Sequence, residues 1–229
     1  MLIGLDTNQQ RILAKDAIKG SGYLCPACKK ELIVKQGEIK IWHYAHKYLG
    51  NCWWENESED HLETKIFLHD LFSSNGYDCE YEVVGENYKT DLLVKKWANE
   101  FAIEVIASPI SIYEIIKRTY RLNRASKSVL WILSKSLSKK IITTEEEIRI
   151  NDYVNFLHRK IYFGRIYGIH NNKIVAIYPH YRTETIVYQV EVNVILKLDL
   201  VKFEKEFEDE EQSLYFARFY DKYAKTKEE

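Results

Sequence analysis

The spacing of apolar positions changes character several times along the chain. From Glu57 to Ser74 the apolar residues Leu62, Ile66, Phe67, Leu68, Leu71 and Phe72 lie nearly all round a 3.6-residue repeat. That predicts a largely buried helix, stopped by Asn75-Gly76. Strand-like runs follow at Asp78–Val84, Tyr88–Val94 and Phe101–Ala107, then an amphipathic helix over about Ile110–Ala125. Ser128–Leu133 (SVLWIL) reads as a buried strand. The order αβββαβ predicts an α/β (α+β) fold whose sheet is partly antiparallel. Beyond Glu145 the pattern is weaker: a helix at Glu145–His158, strands at Lys160–Ile169, Lys173–Tyr181 and Thr185–Leu196, and a final helix over about Phe203–Lys222. Asn171-Asn172 makes a tight turn between the first two of these strands. Residues 1–56 differ from all of this, being rich in Cys, His and Trp and broken by Gly20, Gly22, Gly37 and Gly50. Three units are therefore expected: 1–56, 57–142 and 143–229.

Composition narrows the function classes. With 46% hydrophobic residues, including 17 Tyr, 9 Phe and 5 Trp in 229 residues, the chain can bury a core and is not an intrinsically disordered protein. No run approaches a membrane span, and the N-terminus lacks the basic-then-apolar layout of a signal peptide, so a cytoplasmic location without membrane partners is expected. A formal net charge of −1 excludes a wholly basic nucleic-acid packager. The charge is unevenly spread, however. Ser111–Lys140 carries eight Lys/Arg and one acid, Glu114, whereas Glu204–Glu229 carries nine acids and five bases. The tail reads as a solvated helix face; the basic stretch reads either as that or as a phosphate-binding surface.

Cysteine usage points to a metal. Cys25-Pro26-Ala27-Cys28 is followed after fourteen residues by His43-Tyr44-Ala45-His46, and after five more by Cys52. Two thiolates from a Cys-x-x-Cys knuckle and a second pair further on can close a zinc tetrahedron, and four protein ligands make the site structural. Five candidates compete for four positions; Cys25, Cys28, His43 and His46 are the favoured set, with Cys52 able to replace either histidine. A redox Cys-x-x-Cys and unliganded core cysteines are the alternatives. Cys79, within a strand, is expected to be a small core residue. Trp42, Trp53 and Trp54 flank the ligands and are expected to pack the core of this unit, stacking on unpaired bases being the other reading.

A second constellation lies in the hairpin Tyr88–Ala107. If its turn centres between Trp97 and Ala98, residues whose numbers sum to 195 face each other, so Asp91 opposes Glu104. Directly opposed side chains have Cβ atoms about 4.5–5.5 Å apart. Two carboxylates there, in apolar surroundings, repel unless one keeps a proton or a cation sits between them. Either acid pointing to solvent is the alternative. Glu57, His61 and Lys65, spaced i, i+4, i+8, form one stripe on the preceding helix. Paired acids, a helical acid and a lysine are the equipment of metal-assisted phosphodiester hydrolysis: carboxylates hold Mg²⁺ or Mn²⁺, which activates water and neutralises the scissile phosphate.

These residues in this order carry a resemblance. Cys-Pro-x-Cys, His-Tyr-Ala-His, Glu57-Ser58 with His61 and Lys65, Thr90-Asp91, Ile103-Glu104-Val105 with Ser108, and Trp131-Ile132-Leu133 together resemble the competence protein CoiA family. The resemblance covers residues 5–135 and extends to Tyr162-Phe163-Gly164-Arg165. It implies a nuclease of the PD-(D/E)xK type, a restriction-endonuclease-like mixed sheet flanked by helices, with an N-terminal zinc-binding module. Carried over, Asp91 and Glu104 match the two acids of the motif, Glu57 the acid of the preceding helix, His61 and Lys65 its other polar positions, and Arg118 a basic position in the helix that follows. The chain departs at Ile106, where the family's Glu-x-Gln and the wider fold's Glu-x-Lys carry a polar group. Ile106 can neither donate a hydrogen bond nor polarise water. Lys65, or Lys89 facing Ile106 across the hairpin, can stand in.

The first reading is thus a Mg²⁺-dependent DNA nuclease, with Arg118, Arg121 and Arg124, and Lys89 beside them, gripping the backbone. The second is a catalytically impaired nuclease fold acting as a DNA-binding or recombination accessory protein. A third is a protein-interaction adaptor using the C-terminal strands and acidic tail. A homodimer or protein partner stays open, as does the choice among single-stranded, duplex and branched DNA.

Overall fold

Antiparallel pairing of three consecutive strands builds the part of the molecule that carries the paired acids. The structure, a computed structural model, describes residues 1–38, 40–48, 52, 57–96, 99–143, 152–162, 164–178, 186–190, 201–203 and 217–219. Strands β6 (Asp78–Val84), β7 (Lys89–Lys96) and β8 (Asn99–Ile106) form a meander. The β7–β8 ladder runs from Leu92 opposite Ile103 to Lys96 opposite Asn99, the register that brings Asp91 towards Glu104. β8 then pairs in parallel with β9 (Ser128–Leu133), and α2 (Ile112–Arg124) makes the crossover that a parallel pair requires. Residues Val129–Leu133 are buried throughout, as an apolar run covered on both faces should be. Trp131 satisfies its two donors inside: its backbone N–H donates to Tyr162 Oη at 2.8 Å and its indole N–H to Thr119 Oγ1 at 3.0 Å.

Helix α1 (Glu59–Ser74) lies against β6, β7 and β8. Ser58 caps it by accepting the His61 N–H, and Gly76 at φ +77° ends it, as Asn75-Gly76 foretold. Helix α2 is capped in the same way by Ser111, and it buries Ile115, Ile116, Thr119 and Leu122. After α3 (Lys135–Thr143), the helix α4 (Asp152–Phe156) and a wider turn at Leu157–Ile161 represent the helix expected over Glu145–His158, whose first residues lie outside the described ones. That wider turn also corrects the strand start expected at Lys160. β10 (Ile166–His170) and β11 (Lys173–Tyr178) form the hairpin expected at Asn171-Asn172, whose φ values of 49° and 55° suit a primed turn.

β12 (Ile186–Gln189) completes the sheet order β12-β11-β10-β9-β8-β7-β6. The final helix is corrected where it is described. Val201–Phe203 (β13) and Ala217–Phe219 (β14) are strands paired with each other, and Val201 pairs with Val129 of β9. Pairing with a sheet already in place overrides the local charge pattern there. The rest of that expected helix lies outside the described residues.

The N-terminal residues form a separate sheet, order β2-β1-β3-β4-β5, from β1 (Ile3–Leu5), β2 (Arg11–Leu13), β3 (Tyr23–Leu24), β4 (Glu31–Lys35) and β5 (His43–His46). Gly4 allows the Tyr44 ring to lie on β1: a Cβ there would stand 2.8 Å from the ring. Trp42 does not pack this core as expected. It is 41% exposed, with its indole N–H donating to Gly37 O, because the small core is already filled by Tyr23, Leu32 and Tyr44. Trp53 and Trp54 lie outside the described residues. Cys79 is buried in β6. Among the described residues no helix is long and apolar enough to cross a membrane.

The two sheets are joined by a buried charge cluster centred on Lys65, which is fully enclosed. Its amine donates to Glu57 Oε1 at 2.8 Å and to Glu82 Oε1 at 2.5 Å, with Asp91 Oδ1 at 4.0 Å. Glu82 in turn accepts the backbone N–H groups of Leu2 (2.7 Å) and Ile3 (2.9 Å). To do so Glu82 takes φ +49°, the left-handed region that a glutamate rarely visits, and the β6–β7 ladder passes from Tyr81–Leu92 to Val83–Thr90 around it. Arg11 also crosses, donating to the carbonyls of Tyr81 and Glu82.

Removing one partner of a buried ion cluster leaves uncompensated charge, typically worth about 3–5 kcal/mol. Lys65→Met is expected to lower the unfolding free energy by about that amount. Urea-induced unfolding, followed by tryptophan fluorescence and circular dichroism, checks this; a decrease of only tenths of a kcal/mol would refute the cluster as the joint.

Candidate functional site

The β7–β8 hairpin and the start of α1 converge on a cavity of about 260 Å³, lined among others by Glu57, His61, Lys89, Asp91, Glu104 and Arg118. Asp91 and Glu104 are both buried although both are acids, because the strands that carry them lie in the middle of the sheet. Asp91 is held firmly: Oδ2 accepts from the Val105 N–H at 2.9 Å and lies 3.1 Å from His61 Nε2. Glu104 is held less completely. Oε2 is 3.3 Å from Arg118 Nη1, and the buried Oε1 has no hydrogen-bond partner among the described residues. Glu57 precedes the helix instead of opening it, yet the stripe still forms. Oε1 of Glu57 lies 3.4 Å from His61 Nδ1 and 2.8 Å from Lys65 Nζ, and Oε2 lies 3.0 Å from the Met1 amine.

The two stand-in lysines separate. Lys65 is sealed beneath the acids and does not line the cavity; burial opposes its charge, but Glu57, Glu82 and Asp91 outweigh that and hold it protonated. Lys89 does line the cavity, alongside Ile106. Burial draws its amine down to about 8, with Arg118 pulling the same way and Asp91 opposing. The paired acids also diverge. Asp91, despite its burial, is held well below the ordinary carboxylate range by His61, Lys65 and the Val105 N–H. Glu104 is pushed up to about 7 by burial and then by the Asp91 charge, which Arg118 and Lys89 only partly offset. Glu57 is lowered to about 2: Lys65, the Met1 amine and His61 overcome its burial.

A carboxyl that holds its proton beside a carboxylate, with one oxygen unpartnered, is a place where a divalent cation replaces a proton. Glu57, His61 and Asp91 also offer ligand atoms within 4.8 Å of one another, so Asp91 is common to both arrangements. Hard oxygen donors of this kind suit Mg²⁺ or Mn²⁺. Glu82 is the buried acid that sequence reasoning missed. Its alternation with Tyr81 and Val83 reads as a solvent-facing position, and only the docking of β1 shows otherwise.

In the N-terminal sheet Cys25, Cys28, His46 and Cys52 bring one ligand atom each within 4.8 Å of one another, with Cys28 Sγ 3.2 Å from His46 Nε2 and Cys25 Sγ 3.8 Å from Cys52 Sγ. The place expected for His43 is taken by Cys52. His43 and His46 are three apart on strand β5, so the two-residue period sends them to opposite faces, and His43 Nδ1 instead lies 2.8 Å from Ile41 O. Three sulfurs and one imidazole fit a tetrahedral zinc with no open position. Burial pushes the Cys25 thiol up to about 12, so a metal bound there must displace that proton.

The basic residues divide between two hollows. Arg118 lines the acidic cavity, also pairing through Nε with Glu114 at 3.6 Å, while Arg121 and Arg124 line a second hollow between the Cys/His unit and α2. Lys89 lines both.

Two family models match the sequence. Competence protein CoiA, N-terminal domain, matches residues 5–55, and Competence protein CoiA, nuclease-like domain, matches residues 57–210. No curated protein matches it.

Two outcomes follow from this geometry. Cys52→Ala and His46→Ala are expected to lose bound zinc, and His43→Ala to keep it, as read by metal content of the purified proteins; zinc loss in His43→Ala with retention in Cys52→Ala would reverse the ligand set. The second concerns pH. Glu104 titrates near 4.5 when unfolded and about 7 when folded, so its proton stabilises the fold below that window and the contribution fades as pH rises through it. A cation needs the carboxylate, so Mn²⁺ binding measured calorimetrically is expected to tighten from about pH 6 to about pH 8, and Glu104→Gln to flatten that dependence.

Proposed function

The chain belongs to the competence protein CoiA family, and on that premise we propose that it is a metal-dependent DNA nuclease whose active site is the Asp91–Glu104 cavity. The observation that carries this reading is a buried acid pair, one oxygen of which has no hydrogen-bond partner among the described residues, in the lining of a cavity that also holds Lys89 and Arg118. Mg²⁺ or Mn²⁺ held by Asp91 and Glu104, with Glu57 reached directly or through water, would supply the Lewis acidity for phosphodiester hydrolysis. Asp91 is the pre-ionised anchor, oriented by Val105 N–H and His61. Glu104 gives up its proton on loading. Lys65 stays charged beneath the acids and orients Glu57 and Asp91. Arg118 and Lys89 line the same cavity and would stabilise charge developing on a phosphate held there.

Ile106 favours a second reading. It contributes an apolar wall where a polar side chain is otherwise expected, so the same cavity could bind DNA without cutting it. The zinc-bearing unit, a structural element on its ligand count, then serves substrate binding in either case.

Cleavage of single-stranded, duplex and branched DNA with Mg²⁺ or Mn²⁺ tests the two. The nuclease reading expects cutting that EDTA abolishes and that falls by on the order of 10²-fold or more in both Asp91→Ala and Glu104→Ala. Absence of cutting, with salt-sensitive DNA binding intact, would overturn it in favour of the binding module.

A further inference from the structure

The second hollow, about 1010 Å³, is bounded by Ala27, Cys28 and Cys52 of the Cys/His unit, by the Gly85–Lys89 turn between β6 and β7, and by Tyr120, Arg121 and Arg124 of α2. Three of its lining residues are cationic, Lys89, Arg121 and Arg124, against one acid, Glu86. That balance differs from the neighbouring active-site cavity, where acids and bases are mixed, and it suits a run of phosphates. The two spaces meet at Lys89, which lines both.

Helix geometry links them a second time. Arg118, Arg121 and Arg124 are spaced by three, so each successive side chain is displaced by about 60° round α2 and about 4.5 Å along it. A basic ribbon therefore winds off the active-site cavity, where Arg118 sits, into the hollow that holds the other two. At its far end Arg124 places its guanidinium 5.8 Å from the centre of the Tyr120 ring, with Nη1 3.3 Å from the Tyr120 hydroxyl. A flat guanidinium beside a phenol ring is a surface on which an unpaired base stacks. A duplex keeps its bases stacked on each other and offers only phosphates, so it would leave that stacking surface unused.

We propose that this groove binds the single-stranded continuation of a DNA whose scissile phosphate occupies the Asp91–Glu104 cavity. The proposal rests on the nuclease-site reading for the position of that phosphate and adds the substrate class: DNA with an unpaired arm, one strand of which passes between the Cys/His unit and α2. Arg121 and Arg124 hold its phosphates, and Tyr120 with Arg124 supports a base. These are binding and positioning groups; none touches the reacting atoms.

The test is the affinity of the zinc-loaded full chain for a short fluorescein-labelled oligo-dT, read by anisotropy without added divalent cation, so that cutting plays no part. The double variant Arg121→Ala/Arg124→Ala is expected to bind about 10-fold or more weakly, and its log K against log salt slope to fall by about 0.7 for each phosphate it no longer neutralises. Arg121→Lys/Arg124→Lys is expected to restore the slope without restoring full affinity, because lysine keeps the charge and lacks the flat face. A blunt duplex is expected to bind more weakly than oligo-dT and to respond less to the double substitution. Unchanged oligo-dT affinity in the double variant, at an unchanged melting temperature, would overturn the groove, as would a blunt duplex that binds as tightly as the single strand and weakens as much. Metal-dependent cutting alongside unchanged binding in the double variant would sink this proposal and leave the nuclease standing. Groove-dependent binding without cutting would do the reverse.

Discussion

Everything at the centre of this molecule depends on one enclosed ammonium. Lys65 sits among Glu57, Glu82 and Asp91, and those three acids come from the approach to α1, from β6 and from β7. Through Glu82 the same cluster reaches the backbone of β1, so a single charge cluster ties the Cys/His unit to the nuclease-like sheet. Such a cluster is not a generous source of stability, since desolvation of its members cancels much of their attraction. Its value is positional. With Lys65 pinned from below, Asp91 and Glu57 cannot rotate away from the cavity.

The acids are therefore prepared unequally. Asp91 is surrounded by donors and stays ionised, whereas Glu104 is buried beside that charge with one oxygen that has no hydrogen-bond partner among the described residues. Electrostatic asymmetry of this kind commonly marks a functional site, because folding alone gains nothing from a high-pKa acid in mid-sheet. It also explains the neighbourhood of cations. Arg118 and Lys89 partly offset the repulsion within the pair, and both line the cavity with it.

The Cys/His unit offers more than a candidate metal site. Its candidate ligands Cys28 and Cys52 also line the basic hollow, so a metal held there would fix one wall of it. A small sheet whose core holds seven buried residues among the described ones needs such a clamp to keep its edge in place.

Much of this was written in local pattern. The period-2 runs of β6 to β8, the continuous apolar β9, the caps Ser58 and Ser111 and the turn at Asn171-Asn172 all follow from near-neighbour preferences, which act before any tertiary contact forms. The register opposing Asp91 to Glu104 was legible too, because a short hairpin leaves few choices of turn. Other features had no local signature. The choice of Cys52 over His43 among the five candidate ligands, the burial of Glu82, the sealing of Lys65 away from the cavity and the strands at Val201–Phe203 and Ala217–Phe219 were decided by which distant segments dock together. A spacing rule reports which residues can share a face; whether that face meets solvent, a metal or another acid depends on the desolvation and pairing that only the assembled structure imposes.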